Sequence, residues 1–227
     1  MITAVTGYVH IPDHPRSGNE YCDLGHKLSA CDINLMCTNQ EVEECWMFEF
    51  LQRRGKKFTY SAADNPKKNS ISYHIVQAQK SHWLASAARS MPEADPLVWI
   101  DFGIFHVPGV TRPIIESFMK RAQGEQAITI PGCWEKDYVY NDAQPCWRFC
   151  GGVMVVPREH VFKFDMNMKE EYLTWMEEKN NLSWEVNTLA RLERRVEGAP
   201  IWWYKANHDA SLFTNYRTTE HADGTQS

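Results

Sequence analysis

The sequence predicts an α/β protein, an α/β/α sandwich around a mainly parallel central sheet. Short β-rich apolar runs recur along the chain with segments of helical spacing between most of them, the order that covers a parallel sheet with helices on its faces. One run, Leu97 to Ile100 in "PLVWIDFGIFHV", is continuously apolar, as in a strand buried on both sides. A chain of 227 residues can bury a substantial core, and it reads as one domain over residues 1–216 with a polar tail, "RTTEHADGTQS", from residue 217.

The strand-like runs are Ile2 to Val9, Ile33 to Cys37, Phe58 to Ser61, Leu97 to Asp101, Ala127 to Ile130, Gly151 to Val156 and Ile201 to Lys205. Between them, Ser70 to Ser90 is alanine-rich and sets Ile71, Ile75, Ala78, His82 and Ala85 near one helical face. The segment "REHVFKFDMNMKEEYLTWMEEK" carries a stripe of Met168, Tyr172, Trp175 and Met176. "SWEVNTLARLERRV" opens at Ser183 as a capping serine and turns Val186, Leu189 and Ala190 inward. Pro131 to Pro145, rich in turn formers and aromatics, reads as a long loop over the sheet, of the kind that covers a binding cleft.

Composition narrows the class of function. No window approaches the roughly eighteen apolar residues of a membrane span. A net charge of −5 gives no general attraction to nucleic acid or anionic membrane, and "RRGKK" (Arg53 to Lys57) and "PKK" (Pro66 to Lys68) read as solvated charges. Seven cysteines at irregular spacings read as reduced thiols, and "MITAVTGYVHIP" lacks a basic leader; both point to a cytoplasm.

Asp101 is the first candidate for chemistry, because ligands of open α/β sheets lie outside the carboxyl ends of the strands. A carboxylate there holds a divalent cation or, equally, caps local backbone amides, and this segment alone leaves both open. His106 reads as structural or solvent-facing. In "CWRFCGGVMVVP", Gly151 and Gly152 allow close approach of a ligand or a tight lead-in to the strand, and Arg148 can pair with phosphate or face solvent. Glu185 falls in the first turn of its helix, where the dipole favours a carboxylate; facing a cleft, it becomes a group that binds or deprotonates a sugar hydroxyl. Lys205 and His208 offer a point charge and a metal or phosphate contact, and Lys80 is notable only if it turns inward.

Taken together, "TGYV", "VQAQKSHWL", "VWIDFGIFH", "FCGGVMVVP", "SWEVNTLARL" and "NHDASLF" resemble the HtrL/YibB family over nearly the whole chain. That family looks like nucleotide-sugar glycosyltransferases of the GT-A fold, a Rossmann-type sandwich. The resemblance implies that Thr6, Gly7 and Tyr8 hold the nucleoside and that Lys80 meets the diphosphate. It implies that Asp101 binds the donor ribose and a manganese or magnesium ion, with His208 and Asp209 as further ligands. Gly151 and Gly152 match the sugar-binding strand, and Trp184, Glu185 and Asn187 the segment that contacts donor sugar or acceptor; Arg148 and Lys205 complete the expected nucleotide-sugar contacts. The sequence departs from the family's Asp-any-Asp pattern at Gly103, where the second acid is missing.

The implied activity is transfer of a sugar from a nucleoside diphosphate donor, a uridine one, to an acceptor hydroxyl, with Glu185 as base if the reaction inverts. The acceptor is a surface glycan or, second in rank, a hydroxymethylated base in phage DNA. The rival is a noncatalytic module that binds nucleotide sugar or glycan on the same fold, supported by Gly103. A nucleotidyltransferase would want a glycine-rich basic loop after the first strand, and "TGYVHIPDHPRSG" is a poor version of one.

Overall fold

The structure is a computed structural model that describes residues 1–11, 16–54, 70–138, 144–195 and 201–217. Six strands form one sheet: β1 (Thr3–Tyr8), β2 (Leu35–Asn39), β3 (Leu97–Ile100), β4 (Ile128–Gly132), β5 (Val153–Val156) and β6 (Ile201–Lys205), in the order β2-β1-β3-β5-β4-β6. Neighbours pair in parallel except around β5, which runs antiparallel to both β3 and β4. The expected strand Phe58 to Ser61, the run Pro66 to Lys68 and most of "RRGKK" lie outside the described residues. Arg53 is exposed and pairs with Glu49 one helical turn earlier.

The period of two along the buried strands sorts the core into two layers. Leu97 and Trp99 of β3, with Met154 and Val156 of β5, face one side, where they meet α2 (Trp46–Arg54), α3 (Ile71–Ser90), α5 (Arg158–Lys179) and α6 (Glu185–Arg195). Val98, Ile100, Val153 and Val155 face the other, against α1 (Gly18–Ser29), α4 (Arg112–Ala122) and the short α7 (Ser211–Thr214). This is the expected α/β/α sandwich.

Several elements differ from the expectation for physical reasons. α3 lies between the sheet and α5, so it is buried nearly all round rather than on one stripe: Lys80, Gln79, Ser81 and His74 are buried, while Ile71, expected inward, is exposed. On α5, Met168, Tyr172 and Met176 are buried, and Trp175 is half-buried under the Arg191 guanidinium, 4.1 Å from its ring centroid. Ser183 does not cap α6 through an amide; its hydroxyl donates to Trp184 O and accepts from Arg191 at 2.7 Å. β4 continues through Pro131 and Gly132, which pair with Tyr204 and Lys205, so the aromatic loop starts two residues later than expected. Arg217, the first residue of the expected tail, pairs with Glu125 at 3.1 Å. Among the described residues no helix is long and apolar enough to cross a membrane.

Candidate functional site

Because β5 is antiparallel, its leading edge lies beside the carboxyl ends of β1 and β3. Asp101 N donates to Gly152 O at 3.0 Å, extending the pairing of Ile100 with Val153 by one step and fixing the glycine pair next to the first acidic residue after β3. Into this corner α3 sends Lys80 and the start of α6 sends Glu185. Lys80 Nζ donates to Asp101 Oδ1 at 2.9 Å, to Glu185 Oε2 at 2.8 Å and to Gly151 O at 2.9 Å. Those three oxygens take all three protons of the ammonium. Trp99 completes the corner: its Nε1 donates to Asp101 Oδ1 at 2.8 Å, and its ring stacks on Trp83 with centroids 5.4 Å apart.

Gly151 and Gly152 do different things here. A Cβ at Gly151 would collide with the Glu185 carboxylate, so the absent side chain is what lets that carboxylate reach Lys80; a Cβ at Gly152 would meet Asp101 Oδ2 at 3.7 Å, an ordinary contact. Gly7 plays a packing role of the same kind, since a Cβ there would sit 2.5 Å from Trp83.

Electrostatics separate the two acids. Glu185 is only 4% exposed, and burial raises its carboxyl from 4.5 to about 7 in spite of Lys80, with the charge of Asp101 adding to the rise. Its Oε1 is buried without a hydrogen-bond partner. The Asp101 side chain is 33% exposed. Burial alone would lower Lys80, but Asp101 and Glu185 outweigh it and hold the ammonium charged above its usual range.

The corner is the floor of a two-armed cleft. The narrow arm, about 90 Å³, runs along the end of β1 past Gly7, Tyr8, His10, Gly18, Trp83 and Phe102. Tyr8 packs on Phe102 with ring centroids 5.0 Å apart. The wide arm, about 470 Å³, is walled by Trp134, Trp147, Trp184, Gly151, Gly152, Glu185 and His208. Arg16, Tyr21, Tyr73, Gln77, Lys80, Asp101 and His106 line both arms and so mark their junction. His106 Nδ1 lies 2.6 Å from Gly103 O, which can only accept, so that nitrogen carries the proton; burial also keeps the ring neutral.

Of the residues expected at the site, Gly7, Tyr8, Lys80, Asp101, Gly151, Gly152, Trp184, Glu185 and His208 line this cleft. Five expected residues lie outside its lining. Thr6 is buried within β1. Arg148 is held by Glu193 through two hydrogen bonds, of 3.0 and 2.7 Å, and by Trp134 O. Asn187 ties α6 to the preceding loop, accepting from Cys146 N at 2.7 Å and donating to Gln144 O at 2.9 Å. Lys205 is exposed and pairs with Glu135 at 3.3 Å, and Asp209 accepts from Ser211 N at 2.8 Å at the head of α7. Lys80 reaches the site but as an anchor, its protons already taken by protein oxygens.

Of the donors expected to hold a cation, Asp101 and Asp209 are partly engaged within the protein. Asp101 Oδ1 is already shared by an ammonium and an indole, Asp209 faces Ser211, and among the described residues no group of three His, Cys, Asp or Glu side chains is arranged to hold a metal ion. The missing second acid has a steric reason: a Cβ at Gly103 would lie 2.9 Å from the Tyr21 ring of α1. Arg16, Tyr21, Tyr73, Gln77, Trp134 and Trp147 were not singled out by the sequence. Trp134 falls in the aromatic-rich loop expected over a cleft, Trp147 in the "CWRFCGG" segment and Arg16 in "PRSG" after β1, whereas Tyr21, Tyr73 and Gln77 are scattered over α1 and α3 without a local signal.

No known protein family matches the sequence, so the HtrL/YibB resemblance has no family match behind it, and no curated protein matches either. Among solved structures, the chain is similar to a glycosyltransferase involved in the glycosylation of the major capsid of PBCV-1, with 13% identity and a TM-score of 0.48 over 90% of this chain and 82% of that one. It is also similar to mouse xyloside xylosyltransferase 1 in its apo form, with 9% identity and a TM-score of 0.43 over 91% of this chain and 85% of that one.

Proposed function

We propose that this chain transfers a sugar from a nucleoside diphosphate donor, a uridine one, to a hydroxyl of a glycan acceptor. The observation that carries the reading is Glu185: a carboxyl raised to about 7, anchored through one oxygen by Lys80, with the other oxygen buried and unpartnered just beneath the wall of a cleft at the carboxyl ends of the strands. A base of that acidity is matched to proton abstraction at neutral pH. Oε1 takes the acceptor's hydroxyl proton while that oxygen forms a bond to the anomeric carbon. The bond from that carbon to the donor diphosphate breaks, and its electron pair leaves with the diphosphate. Lys80 positions the base and neutralises Asp101. The aromatic narrow arm suits a planar base, and the tryptophans of the wide arm suit the faces of sugar rings. No step is assigned to a metal ion.

A glycan suits the cleft better than modified DNA. Among the described residues, Arg16 and Lys80 are the lysine and arginine side chains lining its two arms, short of a basic groove that tracks a phosphate backbone. The test is release of nucleoside diphosphate from a panel of nucleotide sugars, with and without glycan acceptors and with and without manganese. Acceptor-dependent release that Glu185→Gln abolishes supports the reading. Thermal stabilisation by uridine diphosphate with no release on any acceptor would replace the enzyme with a binding module.

A further inference from the structure

An acceptor has to bring one hydroxyl to Glu185, so whatever holds its ring must be fixed relative to that carboxylate. Helix α6 supplies such a frame. It carries Glu185 in its first turn, Asn187 two residues on and Glu193 near its end, and the last two reach across to the segment before β5. Asn187 accepts from Cys146 N at 2.7 Å and donates to Gln144 O at 2.9 Å. Glu193 accepts two hydrogen bonds from Arg148, of 3.0 and 2.7 Å. Between these two anchors stands Trp147, whose own carbonyl accepts from Cys133 N at 2.9 Å and from Trp134 N at 3.0 Å, just beyond β4.

The backbone of Trp147 is thus held from both sides, while its side chain is left open. The residue lines the wide arm and is 41% exposed, and among the described residues its indole takes part in no hydrogen bond or ring contact. The other two tryptophans of that arm are more committed to the fold. Trp184 is 7% exposed and packs on His74 and Tyr73, with ring centroids 5.0 and 5.8 Å away, and Trp134 stacks on Tyr138 at 4.0 Å. Folding gains little from an indole left this open, whereas a large flat surface held in place before binding costs a ligand little ordering. A pyranose suits it: the C–H groups of the ring form an apolar face and its hydroxyls a polar edge, so the ring can lie on an indole with a hydroxyl turned to the base.

We infer that Trp147 is the acceptor platform, its indole covering the apolar face of a pyranose ring of the glycan while α6 holds platform and base in one register. This assignment rests on the nucleotide-sugar reading above and deepens it by naming the acceptor's subsite. It also gives Arg148 and Asn187 a task other than donor contact, since their hydrogen bonds hold the segment that presents Trp147.

The experiment is saturation-transfer NMR of wild type, Trp147→Ala and Trp147→Phe with methyl α- and β-pyranosides of glucose, galactose, mannose and xylose, in the presence of uridine diphosphate and magnesium. Calorimetric titration with uridine diphosphate runs alongside, and melting curves confirm that the variants fold. At least one pyranoside should bind wild type through its ring C–H protons. Its affinity should fall by about 5- to 20-fold in Trp147→Ala and by less in Trp147→Phe, which keeps a flat face, while that of uridine diphosphate changes by under about threefold. Three results would each overturn the assignment alone: no pyranoside bound by wild type, a pyranoside bound equally by wild type and Trp147→Ala, or a loss of uridine diphosphate affinity as large as that of the sugar. A wild type that binds neither uridine diphosphate nor any other nucleoside diphosphate would overturn the functional reading and the acceptor role with it.

Discussion

Substituting Glu185→Gln keeps the shape of the side chain, and its carbonyl can still accept from Lys80, but it removes the proton site. In the wild type that site rises from 4.5 in the unfolded chain to about 7 in the fold, chiefly through burial. The native state therefore binds the proton more tightly. The stability linked to it is fully present below pH 4.5 and is lost as pH rises through 7. At about 1.4 kcal/mol per pH unit, the whole gap amounts to about 3 kcal/mol, of which about 2 to 3 kcal/mol falls between pH 5 and pH 8. His74, which burial lowers to about 4, works in the opposite sense, since stability falls as the unfolded imidazole gains its proton below 6.5; it is common to both proteins and cancels in their difference. Lys80 is raised, so its contribution changes only in alkali, above this window. Urea unfolding of both proteins at pH 5, 6, 7 and 8 should show the variant gaining on the wild type by about 2 to 3 kcal/mol across the series. Over the same range its transfer rate should fall by about 10²- to 10⁴-fold, the usual worth of a general base. A stability difference that stays constant with pH would refute the buried, near-neutral carboxyl on which the mechanism depends.

The glycine pair should separate cleanly. Gly151→Ala drives a methyl into the Glu185 carboxylate and should cost about 1 to 3 kcal/mol together with activity. Gly152→Ala, with its nearest contacts at 3.6 and 3.7 Å, should change stability by under about 0.5 kcal/mol; equal melting losses would contradict the geometry. Introducing a second acid with Gly103→Asp should lower the melting temperature, because the side chain meets Tyr21, and should confer no manganese affinity in a calorimetric titration. The Cys133 and Cys150 sulfurs lie 3.5 Å apart, and the hydrogen bond from Cys150 lowers Cys133 to about 7. Glutathione disulfide should therefore join this pair, two thiols giving up two protons and two electrons as the oxidant becomes two thiols. Peptide mass mapping that found any other pairing first would count against the arrangement.

The sandwich was legible because its strands are short, apolar and separated by helical segments, and β6 and α5 fall on the expected residues. α1 was harder: Gly25 and Leu28 are its only buried residues, too few for a stripe. α4 does carry Ile115, Phe118, Met119 and Ala122 at helical spacing, a signal present in the chain that the strand pattern overshadowed. At the site, residue identity was more legible than role. Lys80, Asp101, Gly151 and Glu185 could be named from motifs. That the lysine's protons go to protein oxygens depends on partners 71 and 105 residues away in sequence. Asn187 and Arg148 are polar residues in suggestive motifs whose hydrogen bonds go to the scaffold, and no local pattern separates that outcome from binding.

The corner's charge state links the two halves of the proposed reaction. With Glu185 protonated, Lys80 and Asp101 cancel, and the corner adds no net charge to repel an arriving diphosphate. With Glu185 ionised, the corner carries one net negative charge, but the base is ready to take a proton. Donor affinity should therefore fall, and proton abstraction should improve, as pH rises through about 7, the value burial gives Glu185. In Glu185→Gln the part of that pH dependence contributed by the corner should vanish, leaving the ligand's own phosphate ionisation near about pH 6. Lys80→Met would be far less informative, because it leaves a carboxylate buried without its counter-charge, a loss of about 3 to 5 kcal/mol that would remove fold and activity together. Removing the proton site tests the chemistry, whereas removing the anchor tests only whether the corner holds.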